Sequence, residues 1–169
     1  MSRVPFPFRI VPYDRTRHAD GPWRVVSTVF EEYGFPFAES DYDADLAHPD
    51  EHYFEPTGWF WVVESSEGEV AGCVGLSDEG GGEFELHRLY VLSGARGHQL
   101  GERLCRVVIE KARERGAGRL VLFSDVHFTH AHGVYEHSGF RCNRFRYAPD
   151  PWQSREWGFI MEFERDRRD

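Results

Sequence analysis

A mixed α/β sheet with helices on both faces is the fold class this sequence predicts, and three observations predict it. Residues 58–76 read as a β-hairpin of two apolar runs about a polar, glycine-bearing turn. The run Glu83 to Leu92 feeds a glycine-containing turn into an amphipathic helix that begins near Leu100. After that helix comes Leu120-Val121-Leu122-Phe123, short and apolar on both faces, as in a strand buried inside a sheet. Strands alternating with helices place helical layers against one sheet. At 169 residues the chain suits a single domain over 1–169, with a polar tail frayed after about residue 164.

Each element has its own signal. Phe8-Arg9-Ile10-Val11-Pro12-Tyr13 forms a first strand, stopped by Asp14-Arg15-Thr16. Asp20 is placed to cap a helix whose first turn carries Pro22 and whose buried face is Val25, Val26, Val29, Phe30 and Tyr33, ended by Gly34. The hairpin pairs Gly58–Val63 with Val70–Leu76 around Ser65-Ser66-Glu67-Gly68, and Gly80-Gly81-Gly82 makes the next turn. In the fourth strand Phe84, Leu86, Arg88 and Tyr90 share one face, and Glu85, His87, Leu89 and Val91 the other. The following helix, to Arg115, shows Leu100, Leu104, Val107, Val108 and Ala112. Gly116-Ala117-Gly118 ends it ahead of the apolar strand, and Phe128 to His137 reads as a short helix. Two strands close the chain, one from Gly139-Phe140 to about Tyr147 and one over Trp157–Phe163.

Composition narrows the function. Twenty basic against 29 acidic residues, a net charge of −9, argue against nucleic acid or an anionic membrane as partner. No apolar run approaches the roughly 18 residues a membrane span needs, and Met1–Pro7 lacks a signal peptide's apolar stretch. Three cysteines, Cys73, Cys105 and Cys142, form no close pair and read as reduced thiols of a cytoplasmic protein. The acidic segment 39–57 has two readings: a solvated helix and loop, or a mouth that attracts a cationic amine.

Arg96-Gly97-His98-Gln99-Leu100-Gly101 is the strongest candidate binding site. Unpaired amides of a first helical turn, the helix dipole, and a glycine that admits a close approach together favour a phosphate, and Arg96 adds a cation.

Three segments in register resemble the GNAT superfamily of acyl-CoA-dependent N-acetyltransferases. Glu85-Leu86-His87-Arg88-Leu89-Tyr90-Val91 is similar to its central strand, and Arg96–Gly101 to its pyrophosphate loop. Ala131-His132-Gly133-Val134-Tyr135-Glu136-His137-Ser138-Gly139-Phe140 resembles its Ala-x-x-Leu-Tyr-Glu-x-x-Gly-Phe signature. The resemblance implies a mostly antiparallel mixed sheet of about seven strands, splayed at strands 4 and 5. It also implies acetyl-CoA as co-substrate, no metal, an amine acceptor, and an oligomeric habit in which homodimers are common. Two positions depart from the pattern. Gln99 stands where the loop usually has glycine, and a helical N-terminal conformation is expected to accommodate its Cβ, with slightly displaced phosphate packing. Phe128 replaces an asparagine that contacts the pantetheine arm in many relatives.

The same resemblance assigns roles. The backbone of Leu89, Tyr90 and Val91 pairs with pantetheine amides, and the Val91 amide polarises the thioester carbonyl. Amides of Gly97, His98, Gln99, Leu100, Gly101 and Glu102 cradle the pyrophosphate. Tyr135 donates a proton to the departing thiolate. Glu85 takes the ammonium proton, with burial raising its pKa, unless it is a strand carboxylate paired with an arginine; Glu83 is the alternative. The run His127, His130, His132 with Asp125 and His137 has spacings that suit zinc or nickel, yet no cysteine joins it. One of these histidines, or His87 beside Glu85, offers a second proton relay. The reading is a direct acetyl transfer from acetyl-CoA to the amine of a small molecule or peptide. The alternative is a non-catalytic acyl-CoA-binding regulatory module.

Overall fold

The computed structural model describes residues 6–37 and 42–164. Within them the chain runs β1 (Phe8–Pro12), α1 (Arg15–His18), α2 (Gly21–Tyr33), a 3-10 turn (Ala44–Leu46), α3 (Pro49–His52), β2 (Gly58–Ser65), β3 (Val70–Gly80) and β4 (Glu83–Val91). A second 3-10 turn (Ser93–Ala95) precedes α4 (Leu100–Glu114), β5 (Arg119–Asp125), α5 (Thr129–His137), β6 (Arg141–Tyr147) and β7 (Arg155–Glu162). The sheet is seven-stranded and mixed, in the order β1-β2-β3-β4-β5-β7-β6. β1–β2, β5–β7 and β6–β7 are antiparallel, whereas β4 and β5 run parallel. Among the described residues no helix is long and apolar enough to cross a membrane.

The chain divides into two compact units, and β3 and β4 each contribute to both. The first comprises residues 1–75 and 88–100. Its core gathers Val25 and Val26 of α2 with Leu46, Phe60, Val62, Val70 and Cys73. Gly21 starts α2 because a Cβ there would come within 2.5 Å of Val70 Cγ2, and Gly34, in the left-handed region at φ 70°, ends it. Asp20 occupies the expected cap position without capping: its carboxylate accepts from Arg24 Nε at 3.1 Å instead. Residues 14–16 do more than stop β1. Asp14 caps the single-turn α1, its carboxylate accepting from the Arg17 amide at 3.0 Å. That turn buries His18, whose Nδ1 accepts from the Asp14 amide and whose Nε2 lies 2.9 Å from Glu64. His18, Arg9 and Arg17 surround Glu64, and the bonds from His18 and Arg9 hold its carboxyl down at about 2.

The second unit comprises residues 76–87 and 101–169. Leu104, Cys105, Val108 and Ala112 recur at helical spacing and are fully buried on α4. Leu120, Val121 and Leu122 are buried on both faces of β5, as their uniform apolarity predicts. Gly101 in the first turn of α4 would place a Cβ 3.2 Å from Val134 of α5, so the small residue brings these two helices together. β4 pairs with β5 from Glu83↔Arg119 to Leu86↔Leu122. Both strands then continue past the last pair, β4 to Val91 and β5 to Asp125.

Candidate active site

Glu85 lies on the face of β4 that its alternation predicts, in register with Val121 of β5. Only 20% of its side chain is exposed, and burial pushes its carboxyl above the ordinary range against the lowering pull of His87. His87 Nδ1 lies 3.7 Å from Glu85, while its Nε2 lies 2.7 Å from Ser77 Oγ and 3.8 Å from Glu79. Ser77 donates to Glu79, and the bonds from His87 and Ser77 hold the Glu79 carboxyl at about 2. The donor atoms of Glu79, Glu85 and His87 all fall within 4.8 Å of one another. Among the described residues Glu85 forms no ion pair with an arginine; the neighbouring Glu83 takes that role with Arg119. His87 is thus hydrogen-bonded to Ser77 and lies beside Glu85, 3.7 Å away and outside hydrogen-bond distance. The apolar pattern ends the hairpin at Leu76, whereas β3 continues to Gly80 and so carries Ser77 and Glu79. The Ser-x-Glu alternation beyond Leu76 was the available signal.

Arg88 interrupts β4. Its φ of 57° is left-handed, a conformation that bulges a strand and breaks the two-residue alternation. The guanidinium holds this bulge through Asp43 at 2.7 Å, Asp45 at 2.7 Å and the Tyr42 carbonyl at 3.0 Å. Asp43 is completely buried. Beyond the bulge, Tyr90 packs edge-on against Phe30, and the Leu92 amide donates to the Ala71 carbonyl at 2.9 Å.

The described acids of this segment find partners within the chain, Asp43 and Asp45 at buried or half-buried positions and Asp50, Glu51 and Glu55 at the surface. Asp43 and Asp45 serve Arg88, Asp50 and Glu51 pair with Arg15, and Glu55 accepts from the Trp59 indole. Glu39 and Asp41 lie outside the described residues. In the described part these five carboxylates brace the chain through two arginines and one indole, and the segment keeps a net negative charge.

In the loop ahead of α4, Gly97 has φ 88° and Gln99 has φ 55°. The helical backbone expected at Gln99 is therefore not what the structure has. Gln99 keeps the left-handed torsion that glycine adopts without strain, and it keeps it with a Cβ. Left-handed residues at alternate positions turn successive N–H groups toward a common hollow of the kind that binds anions. Among the described residues the amides of Gly97, His98 and Gln99 meet no hydrogen-bond acceptor. His98 is pinned by its Nδ1 at 3.0 Å from the Ala95 carbonyl and by edge contacts with Phe6 and Phe8. Arg96 does not point free into solvent: its guanidinium grips Glu32 of α2 at 2.6 and 3.0 Å, and its Nε reaches the Val91 carbonyl at 3.2 Å.

Tyr135 is 4% exposed, packed against Phe140 and Phe159. Phe159 pairs with Leu122 of β5, so this tyrosine is on the sheet face opposite Glu85. Near it, His132, Glu136, Cys142, Trp157 and Phe159 line a pocket of about 230 Å³. The histidine run does not converge. His127 pairs with Asp125 at 2.7 Å, and His132 bonds Ser124 and the Asp125 carbonyl, its pKa lowered by burial. His130 and His137 are exposed.

The Acetyltransferase (GNAT) family profile matches residues 23–140 of the 169. The chain belongs to the GNAT acetyltransferase family. An uncharacterised N-acetyltransferase of Escherichia coli K12, YjgM, is 37% identical over 123 residues, covering 69% of this chain and 72% of the relative. An IAA acetyltransferase of Azospirillum brasilense is 33% identical over 120 residues, 68% of this chain and 73% of that one. A GNAT acetyltransferase structure from Staphylococcus aureus Mu50 superimposes with a TM-score of 0.81 at 19% identity, covering 93% of this chain and 99% of that one. GNAT enzymes use acetyl-CoA as co-substrate, and by family this chain is an acetyltransferase.

Proposed function

We propose that this GNAT enzyme transfers acetyl directly from acetyl-CoA to an amine within a ternary complex, with Glu85 as the base and Tyr135 as the acid. The observation that carries the reading is Glu85 itself: a largely buried carboxyl whose pKa burial raises despite the opposing charges of His87 and Arg146, with the His87 imidazole 3.7 Å away. The amine nitrogen forms a bond to the thioester carbonyl carbon, and its proton passes to the Glu85 carboxylate. The C–S bond then breaks, and the Tyr135 phenol gives its proton to the thiolate. Solvent exchange resets both groups, with His87 and Ser77 as the path from Glu85. Alignment of the two substrates removes much of the entropic barrier.

Coenzyme binding falls to the backbone of Leu89, Tyr90 and Val91 for the pantetheine arm, with the Val91 amide polarising the carbonyl. Arg96 and the amides of Gly97 through Glu102 take the pyrophosphate. The free amides and left-handed torsions at 97 and 99 support this assignment. Three free cysteines, two of them buried, support a reducing, cytoplasmic setting. The test is an amine-panel assay with acetyl-CoA that reads free thiol release, run on the native chain and on Tyr135→Phe. The variant is expected to lose turnover far more than acetyl-CoA affinity. Undiminished turnover would remove Tyr135 as the acid.

A further inference from the structure

We propose that Arg144 is an acceptor-binding residue, and that the amine this enzyme acetylates belongs to a molecule carrying a carboxylate a few bonds away, as in an amino acid. The inference rests on the proposed acetyl transfer at Glu85 and adds the substrate class.

Register places Arg144 on the same face of the sheet as Glu85. Glu85 pairs with Val121, and Phe123 follows two residues along the same side of β5. Phe123 pairs with Gly158 of β7, and Gly158 pairs with Arg144 of β6. Paired residues share a face, so Glu85, Phe123 and Arg144 project to the same side of the sheet.

Gly158 explains how Arg144 reaches back toward β5. A Cβ at Gly158 would come within 2.4 Å of Arg144 Cγ and 3.1 Å of Phe123. The Arg144 stem therefore lies flat across β7 in the space a side chain would fill. Its guanidinium carbon ends 5.4 Å from the Phe123 ring centre, one strand from β4. Glycine inside a strand weakens it, and the φ of Gly158 is not left-handed, so backbone conformation gives no reason for the residue. The space for the arginine does.

The two guanidinium groups on that ring differ in one respect. Arg146, 3.3 Å from the Phe123 centre, is neutralised by Glu156 at 3.2 Å. Arg144 is exposed, and among the described residues it has no carboxylate partner and no hydrogen-bond acceptor. In a chain of net charge −9, an arginine held on an aromatic ring without a counter-ion is a preformed anion site. The span fits a short amino acid. Phe123 lies about 5–8 Å from Glu85 by strand spacing. A hydrogen bond of about 2.8 Å at each end leaves room for the few bonds between an amine and its carboxylate.

Thiol release is measured with matched acceptor sets, each an amino acid, its carboxamide and its decarboxylated amine, for the native chain, Arg144→Gln, Arg144→Lys and Gly158→Ala. The native enzyme is expected to favour the carboxylate member in kcat/KM by about tenfold or more, the scale of a charge-assisted contact. Arg144→Gln is expected to erase that preference through KM for the acid, and Arg144→Lys to restore part of it. Gly158→Ala, which displaces the stem, should lower it while Arg144 is intact. Equal use of acids and decarboxylated amines by the native enzyme, or an undiminished preference in Arg144→Gln, overturns the inference and leaves acetyl transfer standing. Absence of thiol release with every amine overturns both.

Discussion

Replacing Gln99 tests the turn that leads into α4. At φ 55° this residue sits in the left-handed region, where a side chain other than glycine or asparagine costs about 1–2 kcal/mol. Glycine removes that strain but loosens the unfolded chain, a loss of about 0.4–1 kcal/mol. The difference leaves Gln99→Gly more stable by about 0.5–1 kcal/mol, a rise in Tm of about 1–4 °C for a chain of this size. Asparagine, which tolerates the torsion, should fall between glycine and glutamine. Valine, branched at Cβ, should fall below the native residue. Thermal unfolding of the four proteins reads the order, and calorimetric titration with acetyl-CoA reads the second consequence. Without a Cβ beside the free amides of Gly97 and Gln99, acetyl-CoA should bind Gln99→Gly at least as tightly as the native chain. A Gln99→Gly protein that melts lower than the native one refutes the left-handed assignment. A stable variant with weakened coenzyme binding refutes the loop's role instead.

Charges at the site set the outcomes of three further variants. Burial makes native Glu85 hold its proton more tightly than the unfolded chain does, so ionising it costs stability as pH rises through the raised native value. Below the unfolded value, about pH 4, both states are protonated and the cost disappears. Glu85→Gln should therefore be more stable than the native chain at pH 7 and lose that advantage in acid. It should also lose the acidic limb of the activity profile. An unchanged limb moves the base to a histidine or water. Arg96→Ala should weaken acetyl-CoA by about 1–3 kcal/mol in calorimetry. Glu32→Gln should tighten it by less than about 1 kcal/mol, because the exposed pair it breaks is weak. Unaltered affinity in Arg96→Ala removes the loop from coenzyme binding.

The sequence by itself determined the order of the elements and the family. Hydrophobic period separates helices from strands, and turn chemistry punctuates them. These are local properties, and α2, the hairpin, α4 and β5 fall where local pattern puts them, within a few residues at their ends. Glu85 was singled out by the resemblance of its strand to the GNAT central strand, and burial raises its pKa in the expected direction. Partners were not legible. Whether the acids of 42–55 face an amine or brace Arg88 and Arg15 depends on residues distant in the chain, as does the grip of Glu32 on Arg96. Gln99 shows the limit from the other side: its residue type argues for an ordinary torsion, and the turn into α4 imposes the left-handed one. Arg144 reads in sequence as one more surface cation on a basic strand. Only the pairing of β6 with β7 and β7 with β5 brings its stem over Gly158 and onto Phe123. Local pattern sets which residues share a face, while sheet register, a long-range property, decides which strands bring those faces together.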